Sequence, residues 1–137
     1  MPKTNFNKAP FLAIAYSLFL LFIATYFAVY ATQLFYYQEK TSLFILSADF
    51  LYENLGQPGG LLVYFSKFLT TFFYYPVAGA IIVSLVITLI TITTSEILRC
   101  LTGKRYILLA FFIGIMVFYL QTNYQFLLIY NLGLLVQ

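Results

Sequence analysis

Charge is absent from three long stretches of the chain: between Lys8 and Glu39, between Lys67 and Glu96, and after Arg105. Each gap exceeds the roughly 20 apolar residues that carry a helix across a bilayer. The pattern predicts three spanning helices, over residues 10–35, 76–98 and 106–122. Beyond the third, the polar patch QTNYQ is followed by the apolar run 126–137. At about 1.5 Å per residue that run is too short to cross. It is either a re-entrant or interfacial piece or a partial fourth span, the start of a longer protein, and the second is the reading we favour.

The segment 36–75 between the first two spans is too long for a hairpin and too apolar for a free loop, so it needs structure of its own. It divides at GQPGG, residues 56–60. Pro58 and Gly59 suit the central positions of a type II turn, the second of which needs positive φ, and Gly56 suits a left-handed cap on a preceding helix. Two helices are expected, over 42–55 and 61–75. The second carries Ser66, Lys67, Thr70 and Thr71 on one face and leucines and phenylalanines, among them Leu61, Phe65 and Phe68, on the other. It is expected to lie flat in a membrane surface, phenylalanines in lipid, hydroxyls in water, with Lys67 reaching toward headgroups.

Composition agrees. The chain is 63% hydrophobic and 8% charged, far from the roughly 45–50% apolar share of soluble domains. The expected fold is all-α: one polytopic helical membrane domain over residues 1–137, with three to four transmembrane helices and a long amphipathic outer loop. The first apolar run outlasts the about 7–15 residues of a signal-peptide core and reads as a retained anchor.

The net charge of +3 has a topological explanation. Lys3 and Lys8 precede the first span, while Arg99, Lys104 and Arg105 crowd the short inner loop 99–105. The positive-inside rule places both on the cytoplasmic side of a bacterial inner membrane, with a cytoplasmic N-terminus. Tyr30, Tyr36, Tyr37, Tyr74, Tyr75, Tyr119 and Tyr124 then fall at the outer interface, and Tyr106 at the inner one. No basic, aromatic-interleaved surface remains for nucleic acid. The expected partners are membrane lipids and further membrane helices of the same longer protein or of a complex.

Candidate chemistry is sparse. There is no His, and the single Cys100 cannot build a thiolate metal site or an internal disulfide. An inert thiol in a reducing compartment is its expected state. No phosphate-binding loop is present, and no residue set points to a cofactor or a metal. Three of the four acids, Glu39, Asp49 and Glu53, gather in the outer segment. Carboxylates at such a boundary can accept a proton from a hydroxyl or share a cation with a lipid phosphate, or can simply be a solvated helix face. Glu96 is expected to pair with Arg99 or Lys104.

Within the spans, Ser84, Thr88, Thr91 and Ser95, extended by Ala80, share one helix face that should meet protein. Ala24 and Ala28 in the first span, and Ala110 with Gly114 in the third, are small residues that permit close helix packing. No span carries a charge at its centre, which gives little support to ion-coupled transport.

The run YYQEKTSLFILSADFLYENLGQPGGLLVYFSKFLTTFFYYPVAGAIIV, residues 36–83, resembles the N-terminal part of an uncharacterised multi-pass membrane protein family of Bacteroidota, domain of unknown function 6057. That resemblance implies a longer protein with more spans. It supplies no activity and no catalytic residues. A second resemblance is architectural only: polytopic glycosyltransferases acting on lipid-linked sugars place an acidic residue and an amphipathic helix in a long first outer loop, roles that Glu39, Asp49 and the 61–75 helix would fill. Two expectations follow. One is a scaffold or assembly part of an envelope complex, and the other is a membrane-embedded transferase acting on a lipid-linked substrate at the outer leaflet.

Overall fold

The computed structural model describes residues 8–42, 44–45, 47–103, 106–123 and 125–136. Lys3, Lys104, Arg105 and Tyr124, named above for topology and the aromatic belt, lie outside the described residues. All regular structure among the described residues is helical: α1 (Lys8–Tyr30), α2 (Thr32–Thr41), α3 (Ala48–Leu55), α4 (Gly60–Thr71), a 3-10 turn (Phe72–Tyr74), α5 (Pro76–Thr102), α6 (Ile107–Gln121) and α7 (Leu128–Val136).

Among the described residues two helices are long and apolar enough to cross a membrane, α1 from Pro10 and α5. The 15 residues of α6 and the 9 of α7 are shorter than a full crossing. Among the described residues two of the expected three to four spans are therefore helices of spanning length.

The single helix expected over 10–35 is two. The chain leaves helical geometry at Ala31, with φ −111° and ψ 20°, and resumes as α2. No proline or glycine causes this. The Thr32 hydroxyl donates back to the Ala28 carbonyl at 3.3 Å, the kind of local bond that bends a helix, and the Ala31 amide reaches the Phe27 carbonyl only at 3.3 Å. The expected 42–55 helix is also shorter. It starts after Ser47, whose hydroxyl accepts from the Phe50 amide at 3.1 Å as an N-cap.

Pro76 opens α5 at its first turn, and Gly103, with φ +68°, closes it in left-handed geometry while its amide donates to the Arg99 carbonyl. The helix consequently runs four residues past the expected end at 98. It is the hub of the molecule, packing on α1, α6, α7 and the 3-10 turn.

Ring contacts give the topology. Tyr16 stacks on Phe111 and Tyr26 meets Phe118 edge-on, so α1 and α6 run in the same direction. The short 103–106 connection sends α5 the opposite way. Tyr30, Tyr74, Tyr75 and Tyr119, all exposed, accordingly share one end of the bundle, and Arg99 and Tyr106 share the other.

The segment α2–α4, the 3-10 turn and α7 cap the tyrosine end. Beneath the cap, Phe27, Phe35 and Phe73 are wholly buried, with the last two rings edge-on at 5.0 Å. Gly79 admits them: a Cβ there would stand 3.1 Å from Phe35 and 3.2 Å from Phe73.

Candidate functional site

The turn at 56–60 forms as the sequence predicts at its centre. The Gly60 amide donates to the Gln57 carbonyl at 2.9 Å, and Gly59 has φ +76°. Gly56 does not. It ends α3 with φ −68° and ψ −10°, right-handed, because the left-handed step falls three residues later at Gly59.

The orientation of α4 departs from the sequence expectation on its polar face, where Thr71 alone of the three hydroxyls is exposed. Ser66 and Thr70 are buried, at 5% and 4% exposure, whereas Leu61, Phe65, Phe68 and Phe72 face outward. Thr70 packs against protein because the cap supplies a polar partner: the Thr70 and Ser42 hydroxyls are bonded to each other, and Thr70 also donates to the Lys67 carbonyl at 2.8 Å. Lys67 is only partly exposed, and its ammonium lies 5.0 Å over the Phe50 ring, joining α4 to α3. Phe44 completes that join, edge-on to Phe50, Tyr64 and Phe68.

The three acids are placed on two elements. Glu39 lies in the last turn of α2 and is half-buried. Asp49, in the first turn of α3, and Glu53, one turn later, share a face and are both exposed. Asp49 there complements the positive end of α3. Among the described residues no group of three or more His, Cys, Asp or Glu side chains comes together, and the one ion pair is Arg99–Glu96 at 3.2 Å. Cys100 is exposed beside it.

The α5 stripe faces protein as expected, with Ser84, Thr88, Thr91 and Ser95 all buried. Three of these hydroxyls are spent on their own helix: Ser84 donates to Ile81, Thr88 to Ser84 and Thr91 to Ile87. They pack the bundle.

Sequence reasoning missed a set of wholly buried amides. Gln38, Gln121 and Asn131 are each 0% exposed. Gln38 Nε2 donates to the Phe126 carbonyl at 3.0 Å, and Asn131 Nδ2 to Gln121 Oε1. Gln121 was visible only as the first letter of a polar patch. Its burial depends on α7 folding back.

The class these features define is an all-helical protein with two helices of membrane-spanning length, an outward apolar surface and an inward polar cap. The chain belongs to a family of unknown function, DUF6057, whose family model matches residues 7–137. No curated protein and no solved structure matches it.

Proposed function

We propose that this chain is an integral protein of a bacterial inner membrane, N-terminus cytoplasmic, acting as a scaffold or assembly part of an envelope complex. The supporting observation is the apolar outer surface: Leu108, Phe11, Leu61 and Phe112 stand at 89%, 72%, 66% and 59% exposure, while serines, threonines, glutamines and an asparagine are found among the buried residues. An apolar surface of this kind requires lipid or a protein neighbour around it. Asp49 and Glu53 face outward from the cap, as a solvated helix face does.

Complementation of a deletion strain tests the reading. With Asp49→Asn and Glu53→Gln, abundance, alkaline-resistant membrane association and the rescued phenotype should all persist. Loss of the phenotype at normal abundance with either amide would overturn the scaffold reading in favour of a transferase acting on a lipid-linked substrate. Phe68→Asp should reduce the amount of folded protein in both cases.

A further inference from the structure

The nine residues of α7 bury only Leu128, Asn131 and Leu132. The two leucines join the core, and the third buried side chain is polar. Against α4 the contact at Gly133 is thin: a Cβ there would stand 3.7 Å from the Leu62 side chain and meet nothing else within 4 Å. Leu62 also borders two apolar grooves. One, of about 530 Å³, passes Phe126, Tyr130 and Leu134, and the other, of about 510 Å³, passes Phe65, Leu135 and Val136. Space beside a helix on two sides forfeits the dispersion contacts that would hold it.

The polar fastenings of α7 are incomplete as well. Gln38 holds the Phe126 carbonyl and Asn131 holds Gln121, yet Gln38 Oε1, Gln121 Nε2 and Asn131 Oδ1 have no partner among the described residues, with all three side chains at 0% exposure. These atoms stand on the three pieces that meet when α7 folds back: α2, the end of α6 and α7 itself. Docking therefore removes them from water without bonding them. Lifting α7 returns their hydration, which offsets part of the cost of exposing Leu128 and Leu132.

The start of α7 also covers something. Residues 127–129 form part of the wall of a hollow of about 120 Å³ that Ser66 and Thr70 of α4 line from the other side. We infer that α7 is a displaceable latch: it leaves the bundle while α2 and α5 stay folded, and its release uncovers Ser66 and Thr70 on α4. This device goes beyond the scaffold reading and holds or fails independently of it.

The test is hydrogen exchange, read by mass spectrometry on the full chain in lipid nanodiscs, with maleimide labelling of Ser66→Cys in a Cys100→Ser background. A nine-residue helix away from the bundle does not keep its hydrogen bonds in water. Amides of α7 should accordingly exchange about tenfold or more faster than those of α2, which lies in the same cap. Asn131→Leu strips the bond to Gln121 and should speed α7 exchange and Ser66→Cys labelling together, each about fivefold or more, with α2 unchanged. Gly133→Ala acts in the other direction. Its Cβ meets Leu62 at an ordinary contact distance and alanine favours the helix, so both rates should fall about fourfold. One exchange rate shared by α7 and α2 would overturn the latch, because α7 would then leave only with the rest of the cap. So would faster α7 exchange in Asn131→Leu with Ser66→Cys labelling unchanged, since α7 would fray without uncovering α4. Rates unmoved by Gly133→Ala would overturn it even where Asn131→Leu fails to fold.

Discussion

Asn131 of α7 donates from Nδ2 to the Oε1 of Gln121 at the end of α6, and both side chains are wholly buried. With Gln38 of α2 holding the Phe126 carbonyl, three amide side chains fasten the turn that folds α7 back against the bundle. Each amide uses part of its capacity: Gln38 Oε1, Gln121 Nε2 and Asn131 Oδ1 have no partner among the described residues. The bonds that are formed therefore carry the whole compensation for burying these groups.

Removing one member should expose that dependence. Asn131→Leu leaves Gln121 Oε1 without its donor and should destabilise the fold by about 1–2 kcal/mol, within the range for interhelical bonds in membranes and for orphaned buried groups. Gln121→Leu combined with Asn131→Leu should cost less than the sum of the single changes, since both partners leave together. Equilibrium unfolding in mixed micelles reads the cycle. Strict additivity would mean that the two side chains do not interact.

The GQPGG turn makes opposite predictions for neighbouring glycines. A Cβ on Gly60 would overlap the Asn54 carbonyl, which is backbone and has nowhere to go, so Gly60→Ala should be the most damaging of the three. Gly59→Ala meets nothing nearby but holds φ +76°, costing about 1–2 kcal/mol. Gly56 is right-handed, with its nearest neighbours at 3.7 and 3.8 Å, so Gly56→Ala should be neutral or stabilise by about 0.4–1 kcal/mol through the unfolded chain. Thermal unfolding of the three alanine variants gives the order directly, and a Gly56→Ala change as harmful as Gly60→Ala would contradict this geometry.

These glycines also mark how far the sequence could be followed. Pro58–Gly59 announces its turn because the φ requirement is local, and the Ser84–Thr88–Thr91–Ser95 face announces its burial because helical spacing is local. The direction α4 faces is not local. Amphipathicity shows that Ser66 and Phe65 point apart, but which of them meets protein depends on Ser42 arriving from α2 and on α7 returning from beyond residue 127. The Ala31 break has the same character, since nothing in the apolar run 10–35 distinguishes Thr32 from a threonine in a continuous helix. The acids were the most conspicuous signal and the least informative: Asp49 and Glu53 share a face, as their spacing requires, and that face is exposed.

Close approach of α5 and α6 depends on Gly114. A Cβ there would press into the Thr91 side chain and stand 3.2 Å from the Phe19 ring, so one added methyl strains three helices at once. Gly114→Ala should destabilise by about 1–3 kcal/mol. Thr91→Ala removes the obstructing atoms and loses only a bond to the Ile87 carbonyl of its own helix. The double variant should recover at least half of the loss, measured by the same unfolding assay. No recovery would show that the contact with Phe19 dominates.

The inward placement of Ser66 on α4 has a direct chemical readout. Cys100 is exposed and must first be replaced by Ser, after which single cysteines can be introduced at Glu53, Phe65 and Ser66 and treated with a membrane-impermeant, water-soluble maleimide in sealed vesicles and after permeabilisation. Glu53→Cys, on an exposed helix with a polar neighbourhood, should react quickly and from the outer side alone. Ser66→Cys should be slow because its side chain is packed inward at 5% exposure. Phe65→Cys, at 58% exposure, should also be slow if α4 faces lipid as proposed, since neither the thiolate nor the reagent is present in hydrocarbon at useful concentration. A helix lying with its hydroxyls in water would instead give a fast Ser66→Cys and a slow Phe65→Cys. A fast Phe65→Cys together with a slow Ser66→Cys would place the apolar face of α4 against water, and the membrane assignment of the cap would fall with it.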